Sequence, residues 1–311
     1  MKTIVHNPFD REPVAEVPLV DWPQIDEWLN EAQLLHRDRH GWLAVHERVA
    51  ILRRAADIMR ERAEDLALQI VREGGKPLVD ARVEAGRAIN SVDLCVQALS
   101  DGGGHEIPMD LTEAGAGRTA YTFREPIGPV VAISAFNHPL NLIVHQVGPA
   151  VAAGCPVLIK PALETPLSCQ SFVSILHEAG LPEAWCRFAP CGNDIAERMV
   201  TDPRTAFFSF IGSAKIGWML RSKLAPGTRI ALEHGGAAPV IVDSGVERAA
   251  VIASLLKGGF YHSGQVCVSV QRVYVPAAEL KDFAHDLRRA AEKLVVGDPA
   301  DAKPGAAQPC K

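Results

Sequence analysis

PVVAISAFNHPLNLIVHQVGPAVAAGCPVLIK, residues 129–160, decides the fold. It opens on PVVAIS (129–134), a short continuous apolar run of the kind expected in a strand covered on both faces. PLNLIVHQVGPAVAAG then reads as a helix, and PVLIK (156–160) as a second strand. The alternation continues downstream. TPLSCQSFVSILHEAG is a helix with a threonine cap, proline just inside it and glycine at its end. WCRFAP is a third strand and NDIAERMVTD a helix. TAFFSF (205–210) is a fourth strand, SAKIGWMLRSKL a helix, and TRIALE (228–233) a fifth strand. Such alternation predicts an α/β fold built on a parallel, doubly wound sheet. Ligands bind such sheets at the carboxyl ends of the strands, so the loops after Ser134, Lys160 and Phe210 are where a site is expected.

Upstream, residues 23–100 read as helices, with Val49, Leu52, Ala56 and Met59 at helical spacing among charged residues. DGGGHEIP (101–108) interrupts the pattern. GRTAYTFREP (117–126) alternates like a half-buried strand, and HEIPMDL is its candidate hairpin partner. After Glu233 the chain reads as a strand PVIVD, a helix VERAAVIASLLKGGF, a strand QRVYV and a helix from about 277 to 295. The ending, GDPADAKPGAAQPCK, carries no pattern.

A chain of 311 residues suits about two domains. Its net charge of −5 and the lack of a basic block argue against nucleic-acid binding. The longest apolar run, VGPAVAAGCPVLI (147–159), is too short and too broken to span a bilayer, and MKTIVHNPFD lacks the apolar core of a signal peptide. The seven cysteines show neither zinc spacing nor a disulfide framework, so no metal and a reducing cytoplasmic setting are expected.

Several positions carry chemistry or an ordinary structural role. Cys267, in GQVCVSVQRVYV (264–275), is either a buried thiol or a nucleophile presented by a glycine-containing turn. His262 lies near enough in sequence to suggest a Cys–His hydrolase. Glu233, at the end of strand five in ALEHGG, is a structural ion-pair partner or a partly buried general base. Asn137, in AFNHP, is a turn former or an amide donor to an oxyanion. Gly212 and Ser213, in FIGSAKIG, open a helix whose amides face an anion. Lys160 ends strand two, in solvent or within reach of ribose and phosphate oxygens.

In this order, GPVVAISAFNHPLNL, PAVAAGCPVLIKPALETP, FFSFIGSAKIG, ALEHGGAAPVIV and GQVCVSVQRVYV resemble the aldehyde dehydrogenase superfamily. LEHGG and GQVC, 34 residues apart from Glu233 to Cys267, are similar to its general-base and nucleophile signatures. The resemblance implies Cys267 as nucleophile, Glu233 as the base that activates water and Asn137 as the oxyanion-hole amide. It assigns Ser134, Phe136, Lys160, Gly212, Ser213 and Gly217 to a bound NAD or NADP. It implies a nucleotide-binding domain over 1–100 and 127–235, an oligomerisation arm over 101–126 and the N-terminal part of a catalytic domain over 236–311. The partners implied are a small-molecule aldehyde and further copies of the chain in a dimer or tetramer.

Three departures accompany it. Leu163 stands where the family often has a glutamate on the ribose 2′-hydroxyl, which leaves NAD and NADP both open. His234 replaces the usual leucine or methionine. Members run about half as long again, and PGAAQPCK resembles the foreign ending of a truncated chain, which would weaken subunit pairing. The expected function is therefore NAD(P)-dependent oxidation of an aldehyde to a carboxylic acid through a cysteine thiohemiacetal and thioester. The alternative is a non-catalytic nucleotide-binding remnant.

Overall fold

A computed structural model of the chain describes residues 1–301 and 306–307. Of the expected patternless ending, GDPADAKPGAAQPCK, residues 302–305 and 308–311 lie outside the described residues, and with them most of PGAAQPCK, the segment read as a foreign ending.

The chain begins with an antiparallel hairpin, β1 (Lys2–His6) and β2 (Pro13–Pro18), in register Lys2↔Pro18. The sequence reading has no element here, because both strands are short and mix polar with apolar residues. Four helices follow: α1 (Trp22–Arg37), α2 (Val45–Glu61), α3 (Ala63–Gly74) and α4 (Leu78–Ser100). The expected small hairpin is present as β3 (Glu106–Ile107) and β4 (Ala120–Tyr121), paired antiparallel. Leu111 and Phe123 beside it are more than 80% exposed.

The five expected strands are β5 (Val130–Ile133), β6 (Val157–Lys160), β7 (Cys186–Phe188), β8 (Phe207–Gly212) and β9 (Arg229–His234). They form one parallel sheet in the order β7-β6-β5-β8-β9. The connecting helices are α5 (Asn141–Ala152), α6 (Leu167–Glu178), α7 (Asn193–Thr201) and α8 (Ala214–Arg221). The sheet is covered on both sides. Helices α2 to α6 pack on one face, and α1, α7 and α8 on the other. That is why β5 and β6 read as unbroken apolar runs: Val131, Ala132, Val157 and Ile159 are fully buried. The strand order reverses beside β5, which places a crevice between the carboxyl ends of β5 and β8.

One detail departs from expectation. The first amides of α6 are not capped by Thr165. The Glu73 carboxylate accepts from Leu167 N at 2.6 Å and Ser168 N at 2.8 Å, while Thr165 Oγ1 donates to Phe136 O. The two oxygens of one carboxyl group satisfy two orphan donors at the helix N-terminus together, which a single hydroxyl does not.

Beyond β9 the chain forms β10 (Pro239–Ile241), α9 (Arg248–Phe260), β11 (Arg272–Tyr274) and α10 (Leu280–Ala291). β10 and β11 pair in parallel. α9 packs on α10, giving a small core of Val242, Ile252, Leu255 and Phe283. Ile241, Val268 and Tyr274 remain exposed. No described helix is long and apolar enough to cross a membrane.

Candidate active site

At the switch point, Gln146 on α5 stitches β5 to β8. Its Nε2 lies 3.1 Å from both Ile133 O and Ser209 O. Beyond this tie the strand ends diverge over a cavity of about 620 Å³. Phe136 and Asn137 from the loop after β5 line it, with Gly212 and Ser213 from the end of β8, Glu233 from β9, and Cys267. Six of the nine residues singled out in the sequence therefore face one space.

Cys267 reaches this space through an unusual turn. After α9, His262, Ser263 and Gly264 all have positive φ, at 46°, 55° and 76°. For histidine and serine this conformation is strained and must be held by surrounding contacts. The turn is tied down by Val270 N donating to Gly258 O and Ser269 Oγ to Gly259 O. Gly236, in the glycine pair after Glu233, donates its N–H to Cys267 O at 3.1 Å. That bond joins the two segments carrying the candidate base and nucleophile. Cys267 is exposed, whereas Cys95, Cys155, Cys169, Cys186 and Cys191 are buried.

Glu233 is exposed, not partly buried as its place at a strand end suggested. β9 is an edge strand, and its residues alternate between exposed and half-buried. Asn137 Nδ2 donates to Gln265 O at 2.9 Å, so the amide also binds the cysteine loop. His262 is buried outside the Cys267 cavity, with its ring 6.2 Å from that of His138. Burial pushes its pKa down to about 3. The structure thus gives the Cys–His hydrolase reading no support.

Lys160, Ser134 and Gly217 do not line this cavity. Lys160 is buried and donates to Pro161 O. Ser134 Oγ is buried with no hydrogen-bond partner among the described residues. Gly217 has a packing reason to lack a side chain: a Cβ there would come within 2.3 Å of His234 Cε1. His234 fills that space, edge-on to Phe210. Leu163 lines a neighbouring cavity, also about 620 Å³, with Phe136, Thr165, Glu164 and Arg11.

Sequence reasoning missed a buried cluster behind the cavity. Lys76 Nζ forms an ion pair with Glu84 and lies 2.8 Å from His138 Nδ1. Glu84 Oε1 accepts from Leu140 N and Asn141 N at the start of α5. In sequence, Lys76 and Glu84 look like ordinary charges at a helix start. The one available cue is that Glu84 falls in the apolar stripe of α4 with Ala81, Ala85 and Ala88.

The profile of the aldehyde dehydrogenase family matches residues 1–307. The chain is 33% identical over 303 residues to 3-sulfolactaldehyde dehydrogenase of Priestia aryabhattai, covering 96% of this chain and 62% of that protein. It is 34% identical over 300 residues to aspartate-semialdehyde dehydrogenase 1 of Pseudomonas canavaninivorans, covering 95% and 62%. Its structure is similar to aldehyde dehydrogenase 21 from Physcomitrella patens in complex with the reaction product succinate. There the TM-score is 0.92 at 32% identity, covering 99% of this chain and 64% of that one. It is also similar to glyceraldehyde-3-phosphate dehydrogenase from Methanocaldococcus jannaschii complexed with NADP. That match has a TM-score of 0.91 at 30% identity and covers 98% and 66%. The chain therefore spans a little over three fifths of the length of these curated relatives.

Proposed function

Because the chain belongs to the aldehyde dehydrogenase family, we propose that it takes part in NAD(P)-dependent oxidation of an aldehyde to a carboxylic acid, with Cys267 as nucleophile. The observation that carries the reading is the convergence of Cys267, Glu233 and Asn137 on one cavity at the switch point of the sheet.

Each residue has one task. The Cys267 thiolate adds to the aldehyde carbon, giving a thiohemiacetal whose oxygen carries the negative charge. Asn137, anchored through one amide hydrogen, has a second to offer that oxyanion. A bound nicotinamide dinucleotide supplies the hydride acceptor. The thioester left on Cys267 is cleaved by water. Glu233 takes the water's proton, the carboxylic acid leaves and the thiolate returns.

The residues present fit such a group. The buried, unpartnered Ser134 Oγ lies just past the carboxyl end of β5, outside the cavity, and Gly212 and Ser213 before α8 line the cavity itself. Phe136, Lys160 and Gly217 complete the proposed binding set. The division into nucleotide-binding, arm and catalytic segments belongs to this reading too, as does pairing of subunits through the exposed β3–β4 hairpin.

An aldehyde with an acidic group is the substrate class we read for this cavity, on the strength of the relatives' names. His145 lines the cavity and meets Ser91 Oγ at 3.0 Å. Burial first, and the Arg87 charge second, lower the His145 pKa, so this imidazole is a neutral hydrogen-bonding group. The relatives' names, 3-sulfolactaldehyde and aspartate semialdehyde among them, share that chemistry.

The test is reduced-nicotinamide formation from succinate semialdehyde and from a neutral aldehyde of similar length, with both cofactors and with Cys267→Ser as control. Thiol-dependent turnover favouring the acidic aldehyde is expected. Nucleotide binding with no thiol-dependent turnover would favour the non-catalytic alternative.

A further inference from the structure

We propose that Lys76, Glu84 and His138 form a buried positioning unit that holds the Asn137 amide and the Cys267 turn in a common register. The inference rests on Cys267 being the nucleophile of the reaction read above.

The unit is expensive where it sits. Lys76 is 0% exposed and Glu84 2%. Apolar side chains of similar volume commonly stabilise such a site as well as a buried ion pair does, so stability alone does not explain it. Its position gives a reason, because three separate segments meet there. Lys76 follows α3, Glu84 belongs to α4, and His138 lies in the loop that leads into α5. Glu84 divides its two oxygens. Oε1 takes the Leu140 and Asn141 amides, and Oε2 faces Lys76 and His138 Nδ1. Lys76 Nζ reaches the same Nδ1 at 2.8 Å. The His138 imidazole is thereby fixed from one side.

Its other side meets the cysteine turn. The His138 ring stacks on Tyr261 at 6.3 Å and 22°, and lies 6.2 Å from the His262 ring. Tyr261 begins the turn, and His262 is the first of its residues with positive φ. His262 also meets the Asn137 backbone, and the Asn137 amide reaches Gln265 O. The residue before His138 is thus tied to both ends of the turn. Rotation of the His138 ring would move Asn137 and the turn together. Lys76, Glu84 and His138 do not line the Cys267 cavity, so their action is through Asn137 and the turn.

The test reads the thiol directly. Alkylation of Cys267 by iodoacetamide is followed against pH in the full chain, in His138→Phe and in Glu84→Gln. His138→Phe keeps a ring against Tyr261 and removes the polar tie. A change in alkylation rate of about fivefold is expected, the scale of coupling through one shared element. In turnover, kcat falls with KM for the aldehyde little changed. His138→Asn, which returns a polar atom near the Nδ1 position, recovers part of the loss. A folded His138→Phe with the wild-type alkylation profile overturns the proposal. Where the variants do not fold, native-state hydrogen exchange of the wild-type chain decides. Amides of 138–142 and 261–267 opening as one unit support the proposal, and independent opening overturns it. Alkylation needs no turnover. An inert wild-type chain whose thiol still responds to His138→Phe would therefore overturn the proposed function while leaving the physical coupling of His138 to the Cys267 turn demonstrated.

Discussion

The Asn137 side chain donates to the Gln265 carbonyl across 2.9 Å, joining segments 128 residues apart in sequence. An amide nitrogen has two hydrogens. One fixes the loop that carries Cys267, and that fixes where the other points. Asn137→Ala should therefore lower kcat by about 10²–10³-fold, the range for losing one oxyanion donor. Asn137→Asp should be no better, because it removes the donor and sets carboxylate oxygens against the Gln265 carbonyl. Steady-state kinetics beside thermal melts check this. A folded Asn137→Asp with wild-type kcat would remove Asn137 from the mechanism.

That contact also marks the limit of what the sequence tells. β5 and β6 are legible because burial on both faces demands an unbroken run such as VVAI or VLI. The candidate site residues on strand ends stand out because the doubly wound fold fixes where ligands go. Contacts between distant segments are not legible. Glu73 caps α6 from 94 residues upstream, so Thr165 looks like the cap when it is not. Glu233 looks half-buried because a strand end usually is, but β9 lies at the sheet edge. Nor does the sequence tell that the space a side chain at Gly217 would need is taken by His234.

Thiol labelling should separate the cysteines sharply. Burial pushes Cys95 and Cys191 up to about 11 and Cys186 up to about 12, and it also raises Cys169 well above the ordinary thiol range. These thiols are protonated and shielded at neutral pH, and the thiolate is the reactive form. Among the cysteines of the described residues, Cys267 is the exposed one. Mass spectrometry after brief alkylation should find Cys267 modified first among them, with Cys169 and Cys186 labelled only as the chain unfolds. Equal early labelling of Cys155 and Cys267 would contradict this.

Leu163 should set weak discrimination between NAD and NADP. It offers the adenosine ribose neither a hydrogen-bond acceptor nor a charge to repel a 2′-phosphate. Leu163→Glu should strengthen NAD binding and weaken NADP binding. A hydrogen bond to a charged group contributes about 1.5–3 kcal/mol, so the NAD preference should rise by roughly ten- to a hundredfold. Calorimetric titration with both dinucleotides measures it. A large NAD preference in the wild-type chain, or none gained in the variant, would assign selectivity to another residue.

Glu73 and Glu84 should give opposite slopes of stability against pH. Burial pushes Glu73 up to about 7, although Ser168 and the Leu167 amide pull the other way. Burial also acts to raise Glu84, but the hydrogen bond and charge of His138 and the charge of Lys76 prevail and bring it down to about 2. Both carboxyls titrate near 4.5 in the unfolded chain. Between pH 4.5 and 7 the folded chain keeps the Glu73 proton that the unfolded chain has released, so this residue's contribution falls as pH rises. Below pH 4.5 the unfolded chain takes up a proton at Glu84 that the folded chain refuses, so that contribution is lost as pH falls towards 2. Each limb is worth about 3 kcal/mol at 1.36 kcal/mol per unit. His262, held neutral down to about pH 3, adds a further loss of stability on acidification. The total curve mixes these effects, so the measurement is the difference between variant and wild type in urea unfolding from pH 3 to 8. Relative to wild type, Glu73→Gln should gain stability as pH rises from 4.5 to 7. Glu84→Gln should be destabilised most above pH 4.5, by about 3–5 kcal/mol for a broken buried pair, and less as the pH falls. A difference independent of pH for either variant would show that its carboxyl titrates alike in the folded and unfolded chains.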